Sequence, residues 1–329
     1  MLFERKRAFT LVELLVVIAI LGILAAALTT QVSRARSMGQ SIRCKANLKN
    51  LAQAAMSHAV ANADNRLPWA GSYEWRDVRE RDGVYKPLYF QNRGWVSWTG
   101  RVNRDWKDGD LDGVSQPQSG STKPACFYGD DSASVFSITN GTLWDYVGRD
   151  MSAYLCDVQQ GAGKRANLGR IRRSYVMNAY FGYDYRTGNA LTPPWRGRTL
   201  QNLAGQGNAG GLLMFAELPA YKVSGGKFTE GIEKGTRLAD GVLETVIKNY
   251  ANQQNTVVSK EEVIGFNHQV GKRFCAHVAY ADGHVDVVIA PSSPSEKKLQ
   301  DLTFLLCNGV DVPARDSEWA GARSSFLGD

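Results

Sequence analysis

The sequence predicts an α+β fold: a long N-terminal helix packed on a globular head that carries an antiparallel β-sheet. Three observations predict it. Seventeen of the twenty residues from Phe9 to Leu28 are apolar, which is enough for a continuous apolar helix. Helical spacing of apolar residues continues to about Ala61, with no proline to interrupt it. From Asn65 onward glycine and proline become frequent and the apolar segments shorten to strand length. The 329 residues are 43% hydrophobic and 22% charged, an ordinary globular composition that excludes wholesale disorder, collagen and coiled coil. A mean hydropathy of −0.30 excludes a polytopic membrane protein.

The first element is the apolar run. It follows a short basic segment (Arg5, Lys6 and Arg7 against Glu4) and at helical rise spans about 30 Å, the thickness of a bilayer core. A cleavable secretory signal has a shorter apolar core, and a plain signal anchor fits the length and the positive-inside bias. Neither explains Glu13. A carboxylate inside a membrane helix costs about 2.5–3.5 kcal/mol on insertion scales and is expected to have a partner. Glu13 lies one helical turn after Phe9. A cut between Ala8 and Phe9 would place a new α-amino group at the same membrane depth. One subunit's carboxylate could then neutralise a neighbour's amine, so Glu13 gains a role that requires assembly.

The stretch KRAFTLVELLVVIAILGILAAAL resembles the N-terminus of type IV prepilins and type II secretion pseudopilins. The resemblance implies removal of leader residues 1–8 by a prepilin peptidase, N-methylation of the new N-terminal Phe9, and subunit docking through Glu13. It implies that the partners are this peptidase, other pilin or pseudopilin subunits and an inner-membrane assembly platform, with no small-molecule substrate. It also implies a single-pass protein of the cytoplasmic membrane, N-terminus inside and head outside. The residue before the cut is Ala8, where the family usually has glycine.

The helix continues past Leu28. Val32, Ala35, Met38, Ile42, Ala46, Leu48, Leu51, Ala52, Ala55, Met56 and Ala59 mostly recur at three- and four-residue spacing, so one helix of about 80 Å is expected from Phe9 to about Ala61. The domain reading is therefore a leader (1–8), a transmembrane helix (9–28), its amphipathic continuation (29–62), a head (63–290) and a C-terminal helix and tail (291–329). Leu67-Pro68 marks the break after the helix.

In the head, ASVFSI, SYVMNAYFGY, GLLMFAE, AHVAYA and HVDVVIA read as strands, and Asp282-Gly283 as the turn of a hairpin. SEKKLQDLTFLLCNG reads as a short helix stopping at Gly309. The head resembles that of processing-associated, planctomycete-type prepilin proteins. The resemblance rests on Asn140-Gly141-Thr142-Leu143-Trp144-Asp145-Tyr146-Val147, on Tyr154-Leu155-Cys156, on Arg173-Ser174-Tyr175-Val176-Met177-Asn178, and on Phe266-Asn267-His268 before Ala281-Asp282-Gly283-His284-Val285. Thirteen residues separate His268 from Asp282, four more than in the family pattern.

An external head would be oxidising, so disulfides could persist. Cys44, on the helix, is expected as a packed thiol. Cys126, Cys156, Cys275 and Cys307 allow three pairings. Cys126–Cys156, closing a loop of about 30 residues, is favoured, with Cys275–Cys307 tying the last strands to the C-terminal helix.

Asp108, Asp110, Asp112 and Gly113 have the spacing of the first half of a calcium loop, but Ser119 stands at the twelfth position in place of the bidentate glutamate. Calcium is the single cofactor with any support. His268, His277, Asp282 and His284 invite a zinc reading. Imidazoles and a turn aspartate supply a poor tetrahedral set, so no metal is expected from that group. Five tryptophans (Trp69, Trp75, Trp95, Trp98 and Trp106) cluster in sequence, which fits loop packing better than a sugar or base platform.

Between Val158 and Leu200 eight basic residues face one acid, so this stretch carries the whole net charge of +7. It reads as a solvated basic region. No P-loop, nucleophile elbow, H-E-x-x-H or dinucleotide fingerprint is present, and no enzymatic activity is expected. The reading is a filament subunit. The alternative is a membrane-anchored envelope module that binds glycan, DNA or protein without polymerising.

Overall fold

The computed structural model describes residues 11–79, 85–91, 94–96, 98–101, 135, 138–165, 173–178, 181, 183–185, 200–201, 209–231, 242–243, 247–249, 254–256 and 263–307. The chain divides into two units, Met1–Ile42 and Arg43–Asp329, with one helix, α1 (Leu11–Ala61), running through the boundary. No proline interrupts its 51 residues, and its two glycines, Gly22 and Gly39, have open space around their Cβ positions.

In the first unit α1 is apolar on every side from Leu11 to Leu28, and those residues are exposed. Leu11 is 79% exposed, and Leu14, Ile18, Leu21 and Leu28 are also bare. A helix that is hydrophobic all round is stable only in lipid or among other helices. Among the described residues, α1 is the one helix long and apolar enough to cross a membrane. Val32, Met38 and Ile42, expected on the stripe that meets the head, are exposed as well. Their spacing is helical, but the basic residues interleaved with them (Arg34, Arg36 and Arg43) leave no continuous apolar face for a sheet.

In the second unit the helix has one buried face. Cys44, Leu48, Leu51, Ala52, Ala55 and Ala59 are fully buried at i, i+4, i+7, i+8, i+11 and i+15. Removing a leucine from water at such a position stabilises by about 1.5–3 kcal/mol.

That face packs on a six-stranded sheet. Its strands are β4 (Tyr175–Asn178), β6 (Leu213–Glu217), β9 (Val242–Leu243), β12 (His268–Val270), β13 (Arg273–Tyr280) and β14 (Val285–Ile289), in the order β12-β13-β6-β4-β9 with β14 also on β13. Strand β13 is the hub. Its first residues pair with β12 (His268↔Cys275), its last with β6 (Val278↔Ala216), and β14 runs along it from Cys275↔Ile289 to Ala279↔Val285. The expected Asp282-Gly283 hairpin is present: Gly283 sits at φ 87°, a left-handed conformation that costs glycine little.

Period-two alternation sorts the sheet's side chains. Tyr175, Met177, Phe215 and Ala279 join the α1 face in one core. Val176, Ala216, Ala276 and Val278 face a second core closed by Leu299, Leu302 and Leu306 of α3 (Glu296–Cys307).

The pairing is antiparallel except for β4 with β9 and for β1 (Gly71–Arg79) with β5 (Tyr183–Tyr185), which are parallel. Strand β1 pairs antiparallel with β2 (Tyr85–Gln91), and β2 with β3 (Trp98–Arg101). The remaining ladders are two two-stranded pairs, β7 (Tyr221–Ser224) with β8 (Lys227–Glu230), and β10 (Ile247–Asn249) with β11 (Gln254–Thr256).

One strand expectation fails. Within ASVFSI the described residues Val135 and Ile138 are helical, and the segment enters the turn at Asn140-Gly141. Gly141 is required there, because a Cβ would lie 2.2 Å from the carbonyl oxygen of Trp95. Trp95 is fully buried, 5.8 Å from the Tyr154 ring in a stacked pair and edge-on to Phe215, so it is core, as loop packing predicts.

The basic stretch is not uniformly solvated. Arg173 is buried 5.9 Å over the Trp95 ring, and Arg165 pairs with Glu230. The face of the Trp95 ring attracts the buried guanidinium by a cation–π interaction.

Candidate functional site

Two places carry chemistry. The first is the start of α1. Glu13 lies in its first helical turn with an exposed side chain, and apolar residues surround it on every side. An acid at a helix N-terminus is favoured by the helix dipole. In a bilayer it costs about 2.5–3.5 kcal/mol and needs an opposite charge beside it. Ala8 and Phe9, the expected cleavage and methylation residues, lie outside the described residues.

The second place was not read as a unit from the sequence. Strand alternation puts Glu217 of β6, Cys275 and His277 of β13 and His268 of β12 on the sheet face that looks toward α1. Cys44 looks back from the helix. Cys156 comes from the loop between a 3₁₀ turn (Met151–Tyr154) and the helix α2 (Asp157–Arg165).

Asn47, one turn along α1 from Cys44, positions that loop. Its Nδ2 donates to the carbonyls of Ser152 (3.0 Å) and Leu155 (2.9 Å). Asp150 caps the 3₁₀ turn, accepting from the Ser152 N–H (2.8 Å) and hydroxyl (2.6 Å), and those bonds hold its carboxyl below the usual range. The Cys156 carbonyl accepts the first hydrogen bond of α2, so the residue stands at that helix's N-cap.

The result is a buried group of two thiols, a carboxylate and two imidazoles. The Cys44 and Cys156 sulfurs are 2.9 Å apart. His268 Nε2 is 3.7 Å from the Cys156 sulfur and 3.0 Å from Glu217 Oε1. His277 Nδ1 is 3.2 Å from the same oxygen, and Asn267 Nδ2 donates to Oε2 at 3.4 Å. Asn267 is itself locked, accepting from the Ala220 N–H and donating to the Leu218 carbonyl, both at 2.8 Å. Glu217 is fully buried, and His268 and His277 are almost so.

A lone carboxylate so deep would be protonated. Burial pushes Glu217 up, but the charge of His268 and the bonds from both histidines outweigh it and hold the carboxyl at about 2. Burial would depress His268. The Glu217 charge, with hydrogen bonds to Cys44 and Glu217, raises it to about 10. The hydrogen bond between the two sulfurs holds the Cys44 thiol below its ordinary value, while burial pushes Cys156 well up. Burial and the Glu217 charge push Cys275 up to about 12.

The expected site residues fall as follows. Cys156 faces Cys44, with both thiols free, while its expected partner Cys126 lies outside the described residues, as do Asp108, Asp110 and Asp112. Cys275 and Cys307 are not joined to each other, so the expected second disulfide is not formed. They belong to opposite sides of the sheet: Cys275 faces the Glu217 side, and Cys307 lies in the second core. Of the histidine group, His268 and His277 do meet, with ring centroids 4.2 Å apart. Asp282 and His284 pair with each other at the hairpin turn. The signals for the buried group were Cys275 and His277 at strand spacing and Cys44 and Asn47 at helical spacing. Glu217, at the end of an apolar strand, carried none beyond its oddity.

Residues 4–29 match the family model of the prokaryotic N-terminal methylation motif. This segment is a prepilin-type N-terminus. It supports a type IV pilin-like protein, processed by prepilin peptidase, with the apolar helix as a single-pass membrane anchor. No curated protein and no solved structure matches the chain.

Proposed function

We propose that the chain is a structural subunit of a type IV pilus or type II secretion pseudopilus-like filament. Prepilin peptidase cuts between Ala8 and Phe9, Phe9 is N-methylated, and the helices of neighbouring subunits pack together. The head lies outside the cytoplasmic membrane. The chain is the peptidase's substrate and catalyses nothing itself.

The observation that carries this reading is the pairing of an all-round apolar, exposed helix with one carboxylate in its first turn. Lipid alone accounts for the apolar side chains. It does not account for Glu13, which an anchor would replace with an apolar residue. The amine freed at Phe9 of a neighbouring subunit does account for it.

Intact mass and N-terminal sequencing of protein extracted from membranes are expected to show a chain that begins at methylated Phe9. Glu13→Leu is expected to insert normally and to be lost from filaments. An uncut chain, or filament incorporation unchanged by Glu13→Leu, overturns the proposal and favours a membrane-anchored module that binds glycan, DNA or protein without polymerising.

A further inference from the structure

We propose that Cys44, Cys156, His268 and Glu217 hold one zinc ion that fastens α1 to the head. The inference is independent of filament assembly, because it concerns the interior of the second unit alone.

Four observations carry it. One ligand atom from each residue lies within 4.8 Å of every other, and all four residues are buried. They come from four separate places in the chain: α1, the α2 N-cap, β6 and β12. The structure thus gathers a carboxylate and an imidazole against two thiols where an ordinary core would place leucine or valine. Their spacing suits a tetrahedral ion. Bonds of about 2.3 Å to sulfur and about 2.0–2.1 Å to nitrogen and oxygen set neighbouring donors about 3.3–3.8 Å apart. The sulfur–imidazole distance of 3.7 Å already fits, the imidazole–carboxylate distance of 3.0 Å is slightly short, and the sulfurs at 2.9 Å must open by less than about 1 Å.

The donor types select the ion. Two thiolates exclude calcium and magnesium, which take oxygen donors, and with one imidazole and one carboxylate they suit zinc. Four buried protein donors leave no open coordination position, so the ion is structural. The surrounding groups are those a metal site needs: His277 and Asn267 hold the Glu217 carboxylate, and Asn47 fixes the loop that presents Cys156. A disulfide would need only the two sulfurs, at about 2.05 Å, and would give no reason for a carboxylate and an imidazole at the same point.

The test uses the full-length chain, extracted in detergent, purified without a metal-binding tag and passed over a chelating resin. Elemental analysis is expected to find about one zinc per chain, and Cys44→Ser or Cys156→Ser to reduce it at least about ten-fold, while Cys275→Ser leaves it unchanged. Should the serine variants fail to fold, the unmutated chain still decides. Exchange of zinc for cobalt is expected to give thiolate-to-cobalt charge-transfer absorption, and a strong chelator to expose two thiols to alkylation. The proposal is overturned if the purified chain holds no zinc and takes up no cobalt. It is also overturned if Cys44 and Cys156 become alkylatable only after a disulfide reductant, which would make the pair a disulfide, or if zinc survives both serine substitutions.

Discussion

From Leu11 to Gly39 every side chain of α1 whose burial is described is exposed; from Cys44 to Ala59 one face is fully buried. The two halves share a backbone and differ in how their apolar residues are arranged. As far as Leu28 the first is leucine, valine, isoleucine and alanine on all sides, a surface that only lipid or other helices can cover. The second sets small alanines and two leucines on a single stripe, with Lys45 and Lys49 outside it, so the sheet can approach closely. Helix-forming tendency is therefore not what distinguishes anchor from head. The angular distribution of apolar side chains is.

The sharpest way to break this comparison is to truncate one leucine in each half. Leu48→Ala is expected to cost about 2–5 kcal/mol of head stability, as other buried leucines do, whereas Leu21→Ala is expected to change it by less than about 0.5 kcal/mol. Denaturant unfolding in detergent, followed through the buried Trp95, measures both. Equal effects would mean that the two halves do not differ as their surfaces imply.

Asn47→Ala comes next. It removes one donor from each of two carbonyls, Ser152, which keeps the Leu155 N–H, and Leu155, which keeps the Tyr175 hydroxyl, at an expected cost of about 1–3 kcal/mol for the two bonds together. The same melt measures it, and a loss well under that range would mean water replaces the amide.

In chain stripped of metal, stability should follow the Glu217–His268 pair. Glu217 is depressed to about 2 from an ordinary 4.5, so its contribution is full above 4.5 and fades as pH falls toward 2. His268 is raised to about 10 from an ordinary 6.5, so its contribution is full below 6.5 and fades as pH rises through 10. A plateau between 4.5 and 6.5 in a pH series of melts is expected, with decline on both sides.

The smallest effect belongs to the surface. Arg43→Ala removes the half-exposed pair with Asp157, at 3.0 Å, and is expected to cost about 0.2–1 kcal/mol, decreasing with added salt.

Local pattern made much of this fold legible. The unbroken apolar spacing gave α1, the Asp-Gly turn between alternating segments gave the β13–β14 hairpin, and the 3.6-residue period after Pro294 gave α3. ASVFSI misled because four of its six residues are apolar or β-compatible in a window too short to show a period.

The N-terminal methylation motif was legible, since its pattern lies in one contiguous stretch. The buried group was not. Cys44 and Cys156 are 112 residues apart, and tertiary contacts such as the grip of Asn47 on two backbone carbonyls bring them together. His268 and His277 read as a histidine set with Asp282 and His284, because proximity in sequence was the only guide. Strand register pairs His268 with Cys275 instead and turns both toward Glu217.

Among the described residues Cys44 is the first fully buried one of α1, two positions past the end of the first unit. Any pull delivered along the apolar rod therefore reaches the head at the surface Arg43–Asp157 pair, then at this thiol and, one turn later, at the Asn47 amide. Mechanical strength at that junction is set by how firmly a few polar groups grip the rod, ahead of the greasy stripe behind them, which would have to be peeled away only afterwards.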